Sequence, residues 1–433
     1  MKNKNRKKRE NTRYWNRREF IKTTFLASSL GLSYPVFGAL ASNGTSPNEK
    51  IRYALIGCGG QGMGHLAAIK QLKDKGYPVD IAAVCDVYMP RVENAAKFTG
   101  AKAVRDYRQI LEMKDIDAVG IATPDHWHCK MVIEALDAGK DVYCEKPLTH
   151  WKDLTEAKRI ADSVEKNNRV LQVGTQGMSD SIWDDIAEQI KKGAIGKIVN
   201  AQASDMRNGL FGLYDPMAND NNARPKVNLD WDMWLGPAPS REFFPGRFFA
   251  FRAFWDYSAG VGTDFLPHLL TPLVYVLGLD FPKTVNAFGT STSYPDRNNP
   301  ASKPETPDFY NLTIEYPNGI IIVLMASIAN AVNIPHLIRG HEATVFINQS
   351  PGAVIFPEEP FAQWREEIKI QRTRGGSVEE HYKNFFDCVK TRKKTRSNEQ
   401  LALRVMAALN LGVLSFRSGK TVEFDPKLLG LEK

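Results

Sequence analysis

Cysteine is scarce in this chain. There are five in 433 residues, an odd number, and none forms a Cys-x-x-Cys pair. A disulfide scaffold is excluded on that count, and so is a cysteine-based metal ribbon. Long apolar runs are also rare: mean hydropathy is −0.35, and the one long uncharged stretch, 23–41, lies near the N-terminus. A polytopic membrane protein is therefore excluded. Internal repeats and low-complexity tracts are missing beyond the N-terminal leader. Most of the chain also lacks any surplus of positive charge. The net charge is +8, but the first 41 residues hold ten Lys and Arg against two acids, and the rest is balanced at 47 of each. A duplex-binding surface needs excess cations to displace counterions, so no nucleic-acid partner is expected. What remains is ordinary globular usage, 43% hydrophobic and 24% charged, with length for two or three domains.

The leader has its own pattern. Asn16-Arg17-Arg18-Glu19-Phe20-Ile21-Lys22 precedes the uncharged stretch, which ends in Ala39-Leu40-Ala41. A charged front, an apolar middle and a small-x-small end describe a signal peptide, and the arginine pair resembles the twin-arginine export signal. The expectation is a signal at 1–41, a linker at 42–50, and a periplasmic protein carried by the twin-arginine machinery, with a membrane-anchored form as the alternative. That route moves folded proteins. It suits Cys58, Cys85, Cys129, Cys144 and Cys388 as small core residues of a protein folded in a reducing compartment.

From Ile51 onward, short apolar runs alternate with helical segments. Runs at 51–56, 79–85, 118–122, 141–144 and 170–173 enclose helix-like stretches at 63–75, 91–98, 129–138 and 154–167. Buried strands alternating with helices predict a doubly wound parallel sheet over 51–174. Beyond Gly174 the texture changes. A helix at 182–192, a strand at 198–206 and an aromatic-rich region at 207–255 lead into longer strands at 284–290, 309–316, 320–326 and 343–348. Two helices, 378–391 and 398–417, finish the chain. This predicts an α/β domain over 175–433 with a large, mainly antiparallel, open-faced sheet.

Four motifs fall at the ends of the predicted strands. Gly57-x-Gly59-x-x-Gly62, with Gly60 and Gln61 inside it, follows a strand and opens a helix. Gly57 permits the tight turn, Gly59 lets backbone amides approach a pyrophosphate, and Gly62 lets helix and strand pack closely. Asp86 ends the next strand, where a carboxylate accepts hydrogen bonds from a ribose diol and repels a 2′-phosphate. This favours NAD over NADP. Thr123-Pro124-Asp125-His126-Trp127-His128 ends the third run, with Thr123, Pro124 and His128 as cofactor contacts. No acid or cysteine stands at ligand spacing from the two histidines, so no metal site is expected. Glu145-Lys146-Pro147 ends the fourth run, at the edge where a nicotinamide would lie. Further on, Asp264 and His268 are spaced i, i+4. On one helix, the carboxylate would orient the imidazole as a general base, or the two would form a structural pair.

Together, the GCGGQG loop, CDV, TPDHWH, CEKPL, VGTQ at 173–176 and D-x-x-x-H at 264–268 resemble the Gfo/Idh/MocA family of NAD(P)-dependent sugar and polyol oxidoreductases, over about residues 51–430. The resemblance implies a Rossmann domain plus an α/β domain whose open sheet face mediates homo-oligomerisation, as dimer or tetramer. It also implies catalysis by Lys146 and His268 with Asp264 beside them. His268 would take a hydroxyl proton, and Lys146 would stabilise the alkoxide. Two places depart from the family pattern. Leu266 and Thr271 stand where a glycine and an acid are usual, and Gly177-Met178 replaces an arginine. The expected protein is an exported dehydrogenase of sugar, glycoside or polyol hydroxyls with tightly bound NAD. The alternatives are an NAD-retaining glycoside hydrolase or lyase acting by transient oxidation and elimination, and a non-catalytic sugar-binding relative. Aromatics Phe211, Tyr214, Trp231, Trp234, Phe254, Trp255 and Tyr257 are candidates for stacking on sugar faces.

Overall fold

The computed structural model of the protein describes residues 50–209, 214, 222–291, 303–349 and 352–430. The arginine-pair leader and Phe211 lie outside the described residues.

Six strands form the first sheet: β1 (Ile51–Ile56), β2 (Val79–Cys85), β3 (Lys102–Val104), β4 (Ala118–Ile121), β5 (Asp141–Cys144) and β6 (Leu171–Val173). All pair in parallel, in the order β3-β2-β1-β4-β5-β6. Between them run α1 (Gly60–Asp74), α2 (Met89–Thr99), α3 (Tyr107–Glu112), α4 (Asp125–Asp137) and α5 (Glu156–Asn167). Strand order reverses between β1 and β4, and the crevice outside the strand ends at such a switch point is where open α/β sheets bind ligands. Gly57, Asp86, Thr123 and Glu145-Lys146 all follow strand ends at this edge.

The expected doubly wound sheet is present, with two local differences. β3 has three residues, two of them exposed, too few for an alternating pattern to show. α4 starts at Asp125 rather than 129, with Pro124 as its extended N-cap and an acid in its first turn. A carboxylate there suits the positive end of the helix dipole. His126 and His128 are therefore helical.

The second sheet is built from β7 (Ile198–Met206), β8 (Thr284–Thr290), β9 (Phe309–Glu315), β10 (Ile321–Ser327), β11 (Leu337–Gly340), β12 (Ala343–Gln349), β13 (Gly352–Pro357), β14 (Ile368–Gln371) and β15 (Val422–Glu423). Their order is β14-β13-β12-β11-β7-β10-β9-β8-β15, antiparallel except for β7 with β10. Four of these, β11, β13, β14 and β15, have two to six residues and escaped the sequence reading. Other helices are α6 (Ile182–Lys191), α7 (Trp231–Leu235), α8 (Pro245–Phe249), α9 (Val261–Asp264), α10 (Leu266–Val276), α11 (Val378–Thr391) and α12 (Glu399–Ser418). α10 and α12 supply Leu270, Leu273, Val405 and Leu409 to the same core as Leu312 and Leu324 of the sheet. Strands β8–β10 alternate, so Phe288 and Ile321 point outward and are exposed. One face is left open.

α11 lies far along the chain yet packs on the first sheet. Tyr382, Phe385 and Phe386 share a core with Tyr53, Leu55 and Tyr143. Gln172 Nε2 donates to the His381 carbonyl at 2.6 Å, and His381 Nε2 meets the Val173 carbonyl at 2.9 Å. All five cysteines are buried and free.

Burial lowers the pKa of His126 and His381 to about 4, and that of His150 to about 3. The unfolded imidazole titrates near about 6.5. Folded values below the unfolded one mean the stability is complete above about pH 6.5 and is lost as pH falls toward about 4, with roughly 2 kcal/mol per histidine gone by about pH 5. The expected Tm is several degrees lower at pH 5 than at pH 7, measured by differential scanning calorimetry, and His381→Gln narrows the gap.

Candidate active site

The glycine loop shows why each glycine is needed. Gly57 has φ +94°, and a Cβ there would stand 2.5 Å from the Ala122 carbonyl oxygen. A Cβ on Gly62 would lie 2.0 Å from the Gly57 oxygen, whereas one on Gly60 would meet nothing within 4 Å. The first pair closes the turn against the neighbouring strand end. Gly60 instead faces open space at a helix N-terminus that has no side-chain cap. First-turn amides have no intrahelical partner, so this is an anion cradle of the kind that holds a pyrophosphate. The residues present fit a dinucleotide.

One cleft of about 590 Å³ runs from this loop to the far strand ends, lined by Gly57, Gly59, Gly60 and Asp86 at one end, with Gln61 reaching from the loop to Glu145. Lys146, Glu145, Gln176, Asp264 and His268 line the other. Asp86 accepts from the amides of Cys58 (2.8 Å) and Tyr88 (2.9 Å). Burial raises its pKa against the opposing pull of Arg91 and those amides. A neighbouring segment of chain closes over this end. Met89 N donates to the Asn228 carbonyl at 2.8 Å, and Asp230 N to the Val87 carbonyl at 3.0 Å. The Arg91 guanidinium lies 4.9 Å from the centre of the Phe248 ring. Phe248, Phe249, Met233 and Trp234 line the same cleft.

At the reactive end, Lys146 Nζ donates to the carboxylate of Asp264 and to its carbonyl oxygen at 2.9 Å. The same carboxylate receives the Arg252 guanidinium at 2.9 Å and the Tyr214 hydroxyl at 2.6 Å. Burial alone would raise the Asp264 pKa, but Arg252, Lys146 and Tyr214 hold it well below the ordinary carboxylate range. His268 is half-buried, and among the described residues its ring makes no hydrogen bond. Burial and the Lys146 cation lower its pKa to about 4, so the ring is unprotonated at neutral pH. Glu145 Oε1 accepts from His65, Gln61 and Gln176 at 2.9, 3.1 and 2.8 Å. Burial would raise its pKa, but His65, Lys146 and His268 bring it down to about 2.

The predicted site residues are thus largely gathered in one cleft, with three differences. Asp264 and His268 do not share one helix: α9 ends at Asp264 and α10 begins at Leu266. The carboxylate turns to Lys146 and Arg252, and reaches the imidazole only through its charge. Thr123 and Pro124 line the cleft, but His128 does not. It is 1% exposed, and its nitrogens meet the carbonyls of Pro147 (2.6 Å) and Thr123 (2.8 Å), bracing two lining loops from behind. Trp231, Phe254 and Tyr257 are buried in an aromatic cluster, and among the described candidate stacking residues only Trp234 borders the cleft. At the departures from the family pattern, buried Thr271 donates to the Pro267 carbonyl one turn back at 2.6 Å, inside a helix that also contains Pro272. Sequence reasoning missed His65, Arg252, Arg207 and Tyr382, which belong to no motif it used.

A doubly wound sheet with a pyrophosphate cradle, joined to a site of lysine, carboxylate and imidazole, defines a two-domain Rossmann protein of the dinucleotide-dependent type. Comparison with known proteins gives the particular family. Residues 51–175 match the Gfo/Idh/MocA profile described as an oxidoreductase family NAD-binding Rossmann fold, and 190–432 match its C-terminal alpha/beta domain. The chain belongs to this family. It is 32% identical over 153 residues to an inositol 2-dehydrogenase of Rhodococcus erythropolis, covering 35% of this chain and 43% of that one. To a glycosyl hydrolase family 109 protein of Shewanella pealeana it is 28% identical over 218 residues, 44% of this chain and 45% of that one. These matches span less than half the length of either relative. The structure of a levoglucosan dehydrogenase in complex with NADH and L-sorbose superposes with a TM-score of 0.68 at 19% identity, over 87% of this chain and 99% of that one.

Gly62→Ala would drive a methyl group into the Gly57 carbonyl. The expected result is a loss of NAD affinity of at least about tenfold, measured by titration calorimetry, whereas Gly64→Ala, in the same helix, outside the cleft lining and with open space for a Cβ, binds within a few-fold of the unaltered protein.

Proposed function

We propose that the protein is an NAD-dependent oxidoreductase of sugar or polyol hydroxyl groups. The observation that carries this reading is the meeting of three side chains at one end of the glycine-loop cleft: Lys146 paired with Asp264, and an unprotonated His268 whose ring has no hydrogen-bond partner among the described residues. A nicotinamide bound at that end supplies the hydride acceptor. His268 takes the hydroxyl proton as the carbon is oxidised. Lys146, held by Asp264, donates to the oxygen as negative charge develops on it. Arg252 and Tyr214 keep the Asp264 carboxylate aimed at the lysine. Arg207 and Gln176 line the same end, where Arg207 offers a donor to a further hydroxyl and Gln176, its amide nitrogen engaged with Glu145 and Tyr143, offers its oxygen as an acceptor.

The Asp86 carboxylate favours NAD over NADP, and the segment closing over Asp86 and Arg91 favours slow release of the nucleotide. Slow release also supports a second reading, an NAD-retaining glycoside hydrolase that oxidises, eliminates, adds water and reduces again. The match to a family 109 glycosyl hydrolase points the same way. In our reading the protein is exported through its arginine-pair leader after folding, which five unpaired buried cysteines suit. It assembles as a homo-oligomer through the open sheet face, where Phe288 and Ile321 are exposed.

The test follows sugars, polyols and aryl glycosides by NADH absorbance and by leaving-group release. Net NADH identifies the dehydrogenase, and release without net NADH identifies the hydrolase. In either assay Lys146→Ala and His268→Ala lower kcat by at least about a hundredfold. With the His268 pKa at about 4, this residue contributes no fall in kcat/KM between pH 7 and pH 5.5. An acid limb near about 6.5 that disappears in His268→Ala would contradict the lowered His268 pKa, and one that persists in the variant belongs to another group.

A further inference from the structure

A chain of buried hydroxyl and imidazole groups runs from α11 to the cleft. The Tyr53 and Tyr382 hydroxyls are 2.9 Å apart, and the Tyr382 hydroxyl is 2.9 Å from His65 Nδ1. His65 Nε2 is in turn 2.9 Å from Glu145 Oε1. His65, Tyr53 and Tyr382 are each 0% exposed, and the Tyr382 ring stacks on Tyr143 at 4.2 Å.

Donor and acceptor needs fix the direction of this chain. The Glu145 carboxylate only accepts, so His65 Nε2 carries the proton and Nδ1 is an acceptor. Tyr382 must donate to Nδ1, and Tyr53 to Tyr382. Every hydrogen then has a partner. Run in the opposite sense, the Tyr53 proton has no acceptor among the described residues, since its hydroxyl lies against the Gly120 backbone. A buried unpaired polar group is costly, so the first arrangement holds. Without the Tyr382 hydroxyl, Nδ1 is a buried acceptor with no donor. The imidazole keeps its proton on Nε2 for Glu145 but loses the bond that fixes its ring from behind, so Glu145 is held less firmly.

We propose that Tyr382 and His65 are positioning residues that hold Glu145 as a fixed carboxylate in the cleft, so that bound dinucleotide is favoured in its oxidised, cationic-ring form. The inference rests on the dinucleotide reading above. It assigns to a helix near the end of the chain a part in setting the redox balance of a cofactor held by the first sheet. An ionised carboxylate lowers the free energy of a nearby cationic ring and leaves a neutral one nearly unaffected.

Titration calorimetry with NAD+ and with NADH, on full-length protein stripped of nucleotide, tests this. Glu145→Gln should raise the ratio of the NAD+ to the NADH dissociation constant by about tenfold. Tyr382→Phe, which keeps the stacked ring, should move the same ratio in the same direction by about threefold. Should Tyr382→Phe fail to fold, Tyr53→Phe removes only the far hydroxyl and should give a smaller shift of the same sign. A purely structural role would weaken both nucleotides equally, and an unmoved or inverted ratio overturns the inference. If the unaltered protein binds neither nucleotide, the dinucleotide reading itself falls. If it binds both and the variants leave the ratio unchanged, only this inference falls.

Discussion

The buried carboxylate of Asp264 ties the two parts of the protein together. It lies at the end of α9, on the chain that builds the second sheet, yet it receives Lys146 from the edge of the first. A lone charge at 4% exposure would be too costly to keep. With Lys146, Arg252 and Tyr214 around it, most of that cost is offset by attraction and hydrogen bonding. The same pairing makes both sides dependent on it, since removal of one partner from such a cluster costs about 3–5 kcal/mol and leaves a charge stranded. The reactive end of the cleft is thus also a structural joint.

This joint matters because the first sheet alone makes only half a site. Its topology delivers the glycine loop, Asp86, Thr123 and Glu145-Lys146 to one edge, as strand order reversal between β1 and β4 requires. It supplies neither the imidazole nor a cover for the cleft. His268 comes from α10, and Phe248, Phe249 and Trp234 come from the segment bridged to residues 87–89. Burial of these groups gives the cleft a low-dielectric lining, in which His268 stays unprotonated at neutral pH while the paired carboxylates stay charged.

Chain order and spatial order part company at the end of the sequence. α12 is apolar and long enough to cross a membrane, but most of it is buried against the second sheet and α5. α11 instead packs on the first sheet, where Tyr382 continues a polar chain that ends at Glu145. A fold assembled this way couples residues more than 300 positions apart, such as His65 and Tyr382.

The sequence by itself determined the parallel sheet, the glycine loop and the identity of Lys146, Asp264 and His268 as chemical groups. These follow from local patterns: runs of buried strand residues, glycines where a Cβ would collide, and charged side chains at strand ends. It also set the charge balance and confined the basic surplus to the first 41 residues. Which atom each group faces was decided only by the tertiary structure. Spacing put Asp264 beside His268. The break between α9 and α10 instead turned it toward Lys146 and Arg252, because a buried carboxylate is held better by two cations than by one neutral ring. His128 stood in a cleft motif, but starting α4 at Asp125 rotated it behind the loops. His65, Arg252 and Tyr382 carry no local signature, since their partners lie dozens to hundreds of residues away and only packing brings donor to acceptor.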